Sequence, residues 1–204
     1  MERVGDLVEE RLELGAARLS LLRPVDPEAL LDEEAFEREE FLPYWAEVWP
    51  SGVTLARFVG TRDVTGQRVL ELGCGLGLPS LAAAARGARV LATDWAPDAI
   101  RLLQENARRN GLTLGAEVVN WARPGQRLAG TWDLVLAADV LYERRDTAPL
   151  VELLSQLQAR EVVIADPGRP ASHEFLARVR EKFDVESRLE RDPRVELHAL
   201  RPRG

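Results

Sequence analysis

The densest chemistry in the chain is a seven-residue turn, Glu71-Leu-Gly73-Cys-Gly75-Leu-Gly77, directly after the apolar run Arg68–Leu72. Glycines at that spacing let a backbone come close to a ligand. A dinucleotide fingerprint needs a third glycine at position 78, which is Leu78 here. A pyrophosphate also wants a helix N-terminus free of carboxylates. Glu71 stands in the turn and Asp139 ends a later apolar run, so the lining is acidic. An ammonium and a sulfonium, the charges of S-adenosylmethionine, suit such a lining. A glycine-rich turn without a ligand is the plain structural alternative.

Other polar residues recur at the ends of apolar runs. Asp94 lies about twenty residues beyond the glycine turn, where an acid takes ribose hydroxyls. It could equally cap the next helix, and the two roles are compatible. Asn120 and Trp121 end a third run and could meet adenine by hydrogen bonds and packing, or Trp121 could be ordinary core. Trp95 carries the same ambiguity. Asp139-Val-Leu-Tyr142 follows the fourth run and should face the transferred group, with a core or rim tyrosine as the alternative for Tyr142. Cys74 is most simply a small apolar residue inside the turn. His173 and His198 stand far apart, His173 at a helix start and His198 in a late strand, and no metal-binding spacing exists.

The elements that would position these residues alternate. Strands are expected at Arg68–Leu72, Ala88–Thr93, Ala116–Asn120, Trp132–Ala138 and Glu161–Ala165. Helices are expected at Pro79–Arg86, Pro97–Asn110, Thr147–Ala159 and Ser172–Lys182, with Ser172 as a cap. This order implies an α/β fold with a doubly wound, mostly parallel sheet. Two further strands, near Asp184–Leu189 and Val195–Leu200, have no helix between them and should pair antiparallel, giving seven. Residues 1–50 break the alternation. They read as a helical appendage over the C-terminal edge of the sheet, with a charged helix at Asp26–Phe41, and residues 51–204 as the main domain.

Three stretches together resemble the family 16 lysine methyltransferases of the seven-strand class: Trp49-Pro-Ser-Gly52, the turn Glu71–Gly77, and Ala138-Asp139-Val-Leu-Tyr142. Two more, Pro43-Tyr-Trp-Ala46 and Ala165-Asp-Pro-Gly-Arg-Pro170, are similar to one branch, the electron-transfer flavoprotein β-subunit lysine methyltransferases. The resemblance covers about residues 40–170. It implies a Rossmann-like class I methyltransferase that uses S-adenosyl-L-methionine and releases S-adenosyl-L-homocysteine. It also implies a lysine-bearing protein as substrate. Carried over with the residue readings, the cofactor set is Trp49, Glu71, Gly73, Cys74, Gly75, Asp94, Trp95, Asn120, Trp121 and Ala138. Asp139 and Tyr142 fall at the substrate-lysine end. A small-molecule or ribosomal-protein N-methyltransferase is the alternative enzyme, and a non-catalytic cofactor-binding regulator the alternative of another class.

Composition narrows the classes further. The net charge is −7, and residues 1–50 hold five Arg against fourteen Asp and Glu. The rest is nearly neutral with no basic stripe, so the footprint of nucleic-acid binding is absent. The acidic run Asp32–Glu40 reads as a solvated face, with a docking surface as the alternative. A single cysteine excludes an internal disulfide. No apolar run approaches the roughly 20 residues of a membrane span, and the charged first residues do not form a signal peptide. A cytoplasmic monomer is expected.

Overall fold

The computed structural model describes residues 5–30, 43–121 and 123–203. Strand β1 (Leu7–Leu14) and strand β2 (Ala17–Pro24) form a separate antiparallel hairpin. Helix α1 (Pro50–Gly60) then leads into β3 (Arg68–Leu72), α2 (Leu78–Ala85), β4 (Arg89–Asp94), α3 (Pro97–Arg109), β5 (Gly115–Val118) and β6 (Thr131–Ala138). Helix α4 (Thr147–Gln156), β7 (Gln158–Asp166), α5 (Pro170–Val179), β8 (Phe183–Arg191) and β9 (Arg194–Pro202) complete the chain. The main sheet has seven strands in the order β5-β4-β3-β6-β7-β9-β8. β5 through β7 pair in parallel, and β9 and β8 pair antiparallel. This is the expected doubly wound architecture with its terminal hairpin.

The central strands are buried on both faces, so they read as continuous apolar runs. In β6, Leu134 and Leu136 pack with Leu55 and Val59 of α1 and Ala83 of α2. Val135 and Ala137 face the other way, onto Leu150 and Leu153 of α4 and Phe175 of α5. Proline at the first turn of α1, α2, α3 and α5 starts each helix without an orphaned donor. Helix α5 therefore begins at Pro170, with Arg169 rather than Ser172 in the cap position. Ser172 is buried, and its hydroxyl donates back to the Arg169 carbonyl. Helix α4 ends at Gln156, because Gln158 and Ala159 already pair with β6.

The N-terminal appendage departs from the helical expectation. Ala17, Leu19 and Leu21 are buried at alternate positions, a strand period rather than a helical one. Leu14 pairs with Ala17 across a tight turn at Gly15, whose φ is +65°. That turn lies directly on the end of α1: a Cβ on Gly60 would sit 2.0 Å from the Leu14 carbonyl oxygen. The hairpin packs against the sheet-covering helices, with Leu14, Leu19 and Leu21 in one cluster with Leu81 of α2 and Leu103 of α3. Of the charged helix expected at Asp26–Phe41, Glu28–Leu30 form a short 3-10 turn. Residues 31–41 lie outside the described residues. Helix α1 was not anticipated from the sequence.

The outer edge of β2 is closed by two asparagines, Asn106 within α3 and Asn110 at its C-cap. Asn106 accepts from Leu22 N (2.7 Å) and donates to Leu22 O (2.9 Å). Asn110 does the same with Ser20, at 2.8 and 2.7 Å. Side chains one helical turn apart thus match alternate residues of a strand. Asn106 is fully buried, so deleting its amide strands the partly buried N–H and C=O of Leu22, each costing up to about 1–3 kcal/mol. Asn106→Ala should lower the unfolding free energy by roughly 2 kcal/mol or more. Chemical denaturation checks this, and a loss below about 0.5 kcal/mol, the usual range for surface changes, would show that the clip contributes little.

Candidate functional site

The parallel register brings the C-terminal ends of β3, β4, β5 and β6 to one edge, where the strand order reverses. Ligands of open α/β sheets bind at such a point. A cavity of about 620 Å³ opens there. Gly73, Asp94, Trp95, Asn120 and Trp121 line one part, and Trp49, Ala138, Asp139, Tyr142 and Arg169 another. Nine of the residues expected at the site therefore share one cavity. Glu71 and Cys74 do not line it; they border an adjoining lobe of about 40 Å³ with Trp49, Gly73 and Ala138. Gly75 lines neither, and its backbone N–H donates to Asp94.

Asp94 ends β4 and is almost fully buried. One carboxylate oxygen accepts from Gly75 N at 2.8 Å and the other from Ala96 N at 2.9 Å. The Trp95 N–H bonds the carboxylate as well. Asp94 thus ties the glycine turn to Ala96, the residue that caps α3, rather than capping that helix itself, and it still borders the cavity. Burial raises its pKa, against the lowering effect of these N–H groups. Glu71 is also buried, and its Oε2 accepts from Ser80 N (2.9 Å) and from the Ser80 hydroxyl in the first turn of α2. Burial pushes the Glu71 carboxyl up to about 8, with Asp94 repelling its charge and Ser80 partly opposing the shift. The Cys74 thiol is pushed well above its ordinary range by burial and the two carboxylates, which makes it unreactive.

At the other end, Asp139 holds a left-handed backbone, with φ of 56°. Its N–H donates to Ala165 O (2.9 Å). Arg169 Nε and Nη2 both donate to Asp139 Oδ1, at 2.9 and 2.7 Å, while Oδ2 accepts from Ser51 Oγ at 3.3 Å. Arg169 is itself placed by Asp166, whose Oδ1 accepts from Gly168 N and Arg169 N. Three aromatic rings form the rim. Tyr44 meets Tyr142 edge-on at 5.8 Å and Trp49 at 6.4 Å, and the Trp49 indole donates to Tyr44 O. Tyr142 is 41% exposed.

Sequence reasoning missed Tyr44, Trp45, Ser51 and the partnership of Arg169 with Asp139. The Pro43-Tyr-Trp-Ala and Asp-Pro-Gly-Arg-Pro stretches were the available signals, although neither by itself assigns a contact. His198 is buried with Ser187 Oγ on its Nδ1, and burial lowers its pKa, which fits a structural residue. His173 is exposed on α5.

The donor set fits S-adenosylmethionine better than a pyrophosphate cofactor. Acids line or adjoin both ends, Trp95 and Trp121 offer flat faces, and Gly73 presents bare backbone beside Trp121. Residues 39–182 match the family described as lysine methyltransferase, and the chain belongs to that family. It is 32% identical over 170 residues to protein N-lysine methyltransferase METTL21A of Danio rerio, covering 76% of each chain. It is 37% identical over 147 residues to the electron transfer flavoprotein beta subunit lysine methyltransferase of Xenopus laevis, covering 66% of this chain and 57% of that one. The human protein of the same name is 34% identical over 138 residues, and only 50% of it is matched. The chain thus spans about half the length of the flavoprotein-directed relatives. Among solved structures, N-methyltransferase NodS of Bradyrhizobium japonicum with S-adenosyl-L-homocysteine aligns with a TM-score of 0.64 at 18% identity, over 84% of this chain and 98% of that one. Ribosomal protein L11 methylase of Lactobacillus delbrueckii aligns at 0.60 and 23% identity, over 77% and 81%. These neighbours share the fold.

The raised Glu71 pKa carries a sign. Stability that depends on the protonated carboxyl is complete below about pH 4.5 and is lost as pH rises through about 8. Without cofactor, the melting temperature should fall between pH 6 and 9, and Glu71→Gln should flatten that fall. Parallel melting curves for the two proteins across this range would show that Glu71 is not the titrating group.

Proposed function

We propose that this chain is an S-adenosylmethionine-dependent protein-lysine N-methyltransferase, with the electron-transfer flavoprotein β subunit as one candidate substrate. The observation that carries the reading is one cavity that joins the Asp94 end to the Asp139–Tyr142 end. A binding-only module has no need of the second end. Asp94 would hold the ribose, Trp121, Asn120 and Trp95 the adenine, and the Gly73 backbone the methionine part. Trp49 and Ala138 would border the bound cofactor, which supplies a methyl group on a sulfonium.

The chain's own residues do the rest by positioning. A lysine amine must be neutral to attack, and its free pKa is near 10.4. Asp139 Oδ2, the oxygen opposite the one that Arg169 holds, would accept one amine N–H, directing the lone pair toward the methyl. The Tyr142 ring would flank the alkyl stem and amine. Holding nucleophile and methyl in line accounts for most of the rate. Compartment and oligomeric state follow the sequence reading, a cytoplasmic monomer.

The decisive experiment incubates the protein with tritiated S-adenosylmethionine and lysate of its source. Label on lysine in protein supports the reading, and label only in the small-molecule fraction overturns the protein substrate. Asp94→Ala should weaken cofactor binding by roughly one to two powers of ten, since hydrogen bonds to a charged acceptor contribute about 1.5–3 kcal/mol. Asp139→Asn should cut turnover by about 100-fold or more, with cofactor affinity within a few-fold. Calorimetric titration beside the methylation assay separates the two. Loss of cofactor binding in Asp139→Asn would move that residue into the cofactor shell.

A further inference from the structure

A free carboxylate at the substrate end would attract a lysine in its ammonium form, which cannot accept a methyl. Asp139 is not free: two nitrogens of Arg169 occupy its Oδ1 at 2.9 and 2.7 Å. The Asp139 side chain is 6% exposed and that of Arg169 35%, so the carboxylate is shielded from water while the guanidinium keeps partial contact with it. A carboxylate so neutralised presents a dipole rather than a net negative charge. The remaining charges do not replace it. Glu143 is paired with Arg145, and Asp94 sits at the opposite end of the cavity. Asp166 is turned to the backbone of Gly168 and Arg169. Tyr44 and Tyr142 also line this end, and Glu47 borders the small adjoining lobe with Trp49 and Ala138 rather than the main cavity.

We infer that Arg169 is a positioning residue whose charge cancels that of Asp139, so that the site admits the acceptor as a neutral amine. This rests on the lysine reading above. The proton stays on a solvent or buffer base, because the amine loses it before it binds. A nearby positive charge disfavours the ammonium, and the acceptor oxygen left on Asp139 still orients the neutral amine through one N–H. The helix cap gives Arg169 its place: Pro170 starts α5, the Arg169 backbone N–H is held by Asp166, and the side chain reaches back across the end of β6.

The test is a pH profile with Nα-acetyl-lysine amide as acceptor, from pH 6.5 to 9.5. The profile of kcat/KM reports free enzyme and free acceptor, and that of kcat reports the bound complex. In the wild type, kcat/KM should rise about tenfold per pH unit, following the free amine, while kcat stays flat. Arg169→Gln uncovers Asp139 and should trap the ammonium. Its KM at pH 7 should fall several-fold, and kcat should acquire the rise with pH. Arg169→Lys keeps the charge and should keep the wild-type shape, whatever its absolute rate. Affinity for S-adenosylhomocysteine, measured by calorimetry, should stay within a few-fold in both variants. A wild-type kcat/KM that is flat between pH 7 and 9 overturns the inference without recourse to any variant. So does an Arg169→Gln enzyme whose kcat and kcat/KM fall in equal proportion at every pH. Either result leaves the lysine reading standing, because turnover was measured; absence of turnover by the wild type on this amine and on lysate protein removes both.

Discussion

The parallel hydrogen-bond ladder of β4, β3, β6 and β7 is the constraint on which the site depends. Parallel strands leave their C-terminal ends on one side, and crossover helices fill both faces. Because Leu72 lies level with Thr93 and Ala137, the Gly73 turn, Asp94 and Asp139 emerge at one height. Ala138 lies level with Ala165, which brings the Asp166–Arg169 loop beside Asp139. A slip of one residue in either pairing would send each strand's side chains to the opposite packed face and scatter these groups.

The polar groups at this edge are mutually arranged rather than simply displayed. Glu71 ties the turn to the first turn of α2, and Asp94 ties it to the start of α3. Burial keeps both carboxyls prone to protonation, a state that a cation in the cavity would oppose. Asp139 occupies a backbone region that non-glycine residues rarely adopt, although Asp tolerates it better than most. The bonds from Asp139 N–H to Ala165 O, and from Ser51 and Arg169 to its carboxylate, hold it there. On the proposed assignment the cofactor end is acidic and the substrate end is charge-balanced.

Much of the frame was legible because the main sheet is locally consistent. Apolar runs bounded by glycine and proline gave β3, β4, β6, β7 and α3 within a few residues, and the run ends, the glycine turn and the resemblance together gave half of the cavity wall. The hairpin at residues 7–24 was not legible, since its charged alternate positions resemble a solvated helix until the Leu14–Ala17 turn is seen. Helix α1 was hidden by its proline start and its mixed face, which is buried because helix α2, strands β6, β7 and β9 and the hairpin all meet it. The Asp139–Arg169 pair joins residues thirty positions apart. No local pattern specifies it, since it needs both the β6–β7 register and the proline-set start of α5.

A crystal structure of the protein with S-adenosylhomocysteine tests the site assignment most directly. The ribose hydroxyls should lie within hydrogen-bond reach of Asp94, with the adenine against Trp121 and the sulfur directed toward Asp139 and Tyr142. The Arg169–Asp139 pair should remain closed. A ribose away from Asp94, or a sulfur directed away from the Asp139–Tyr142 end, would contradict the proposed division of the cavity into a cofactor half and a lysine half.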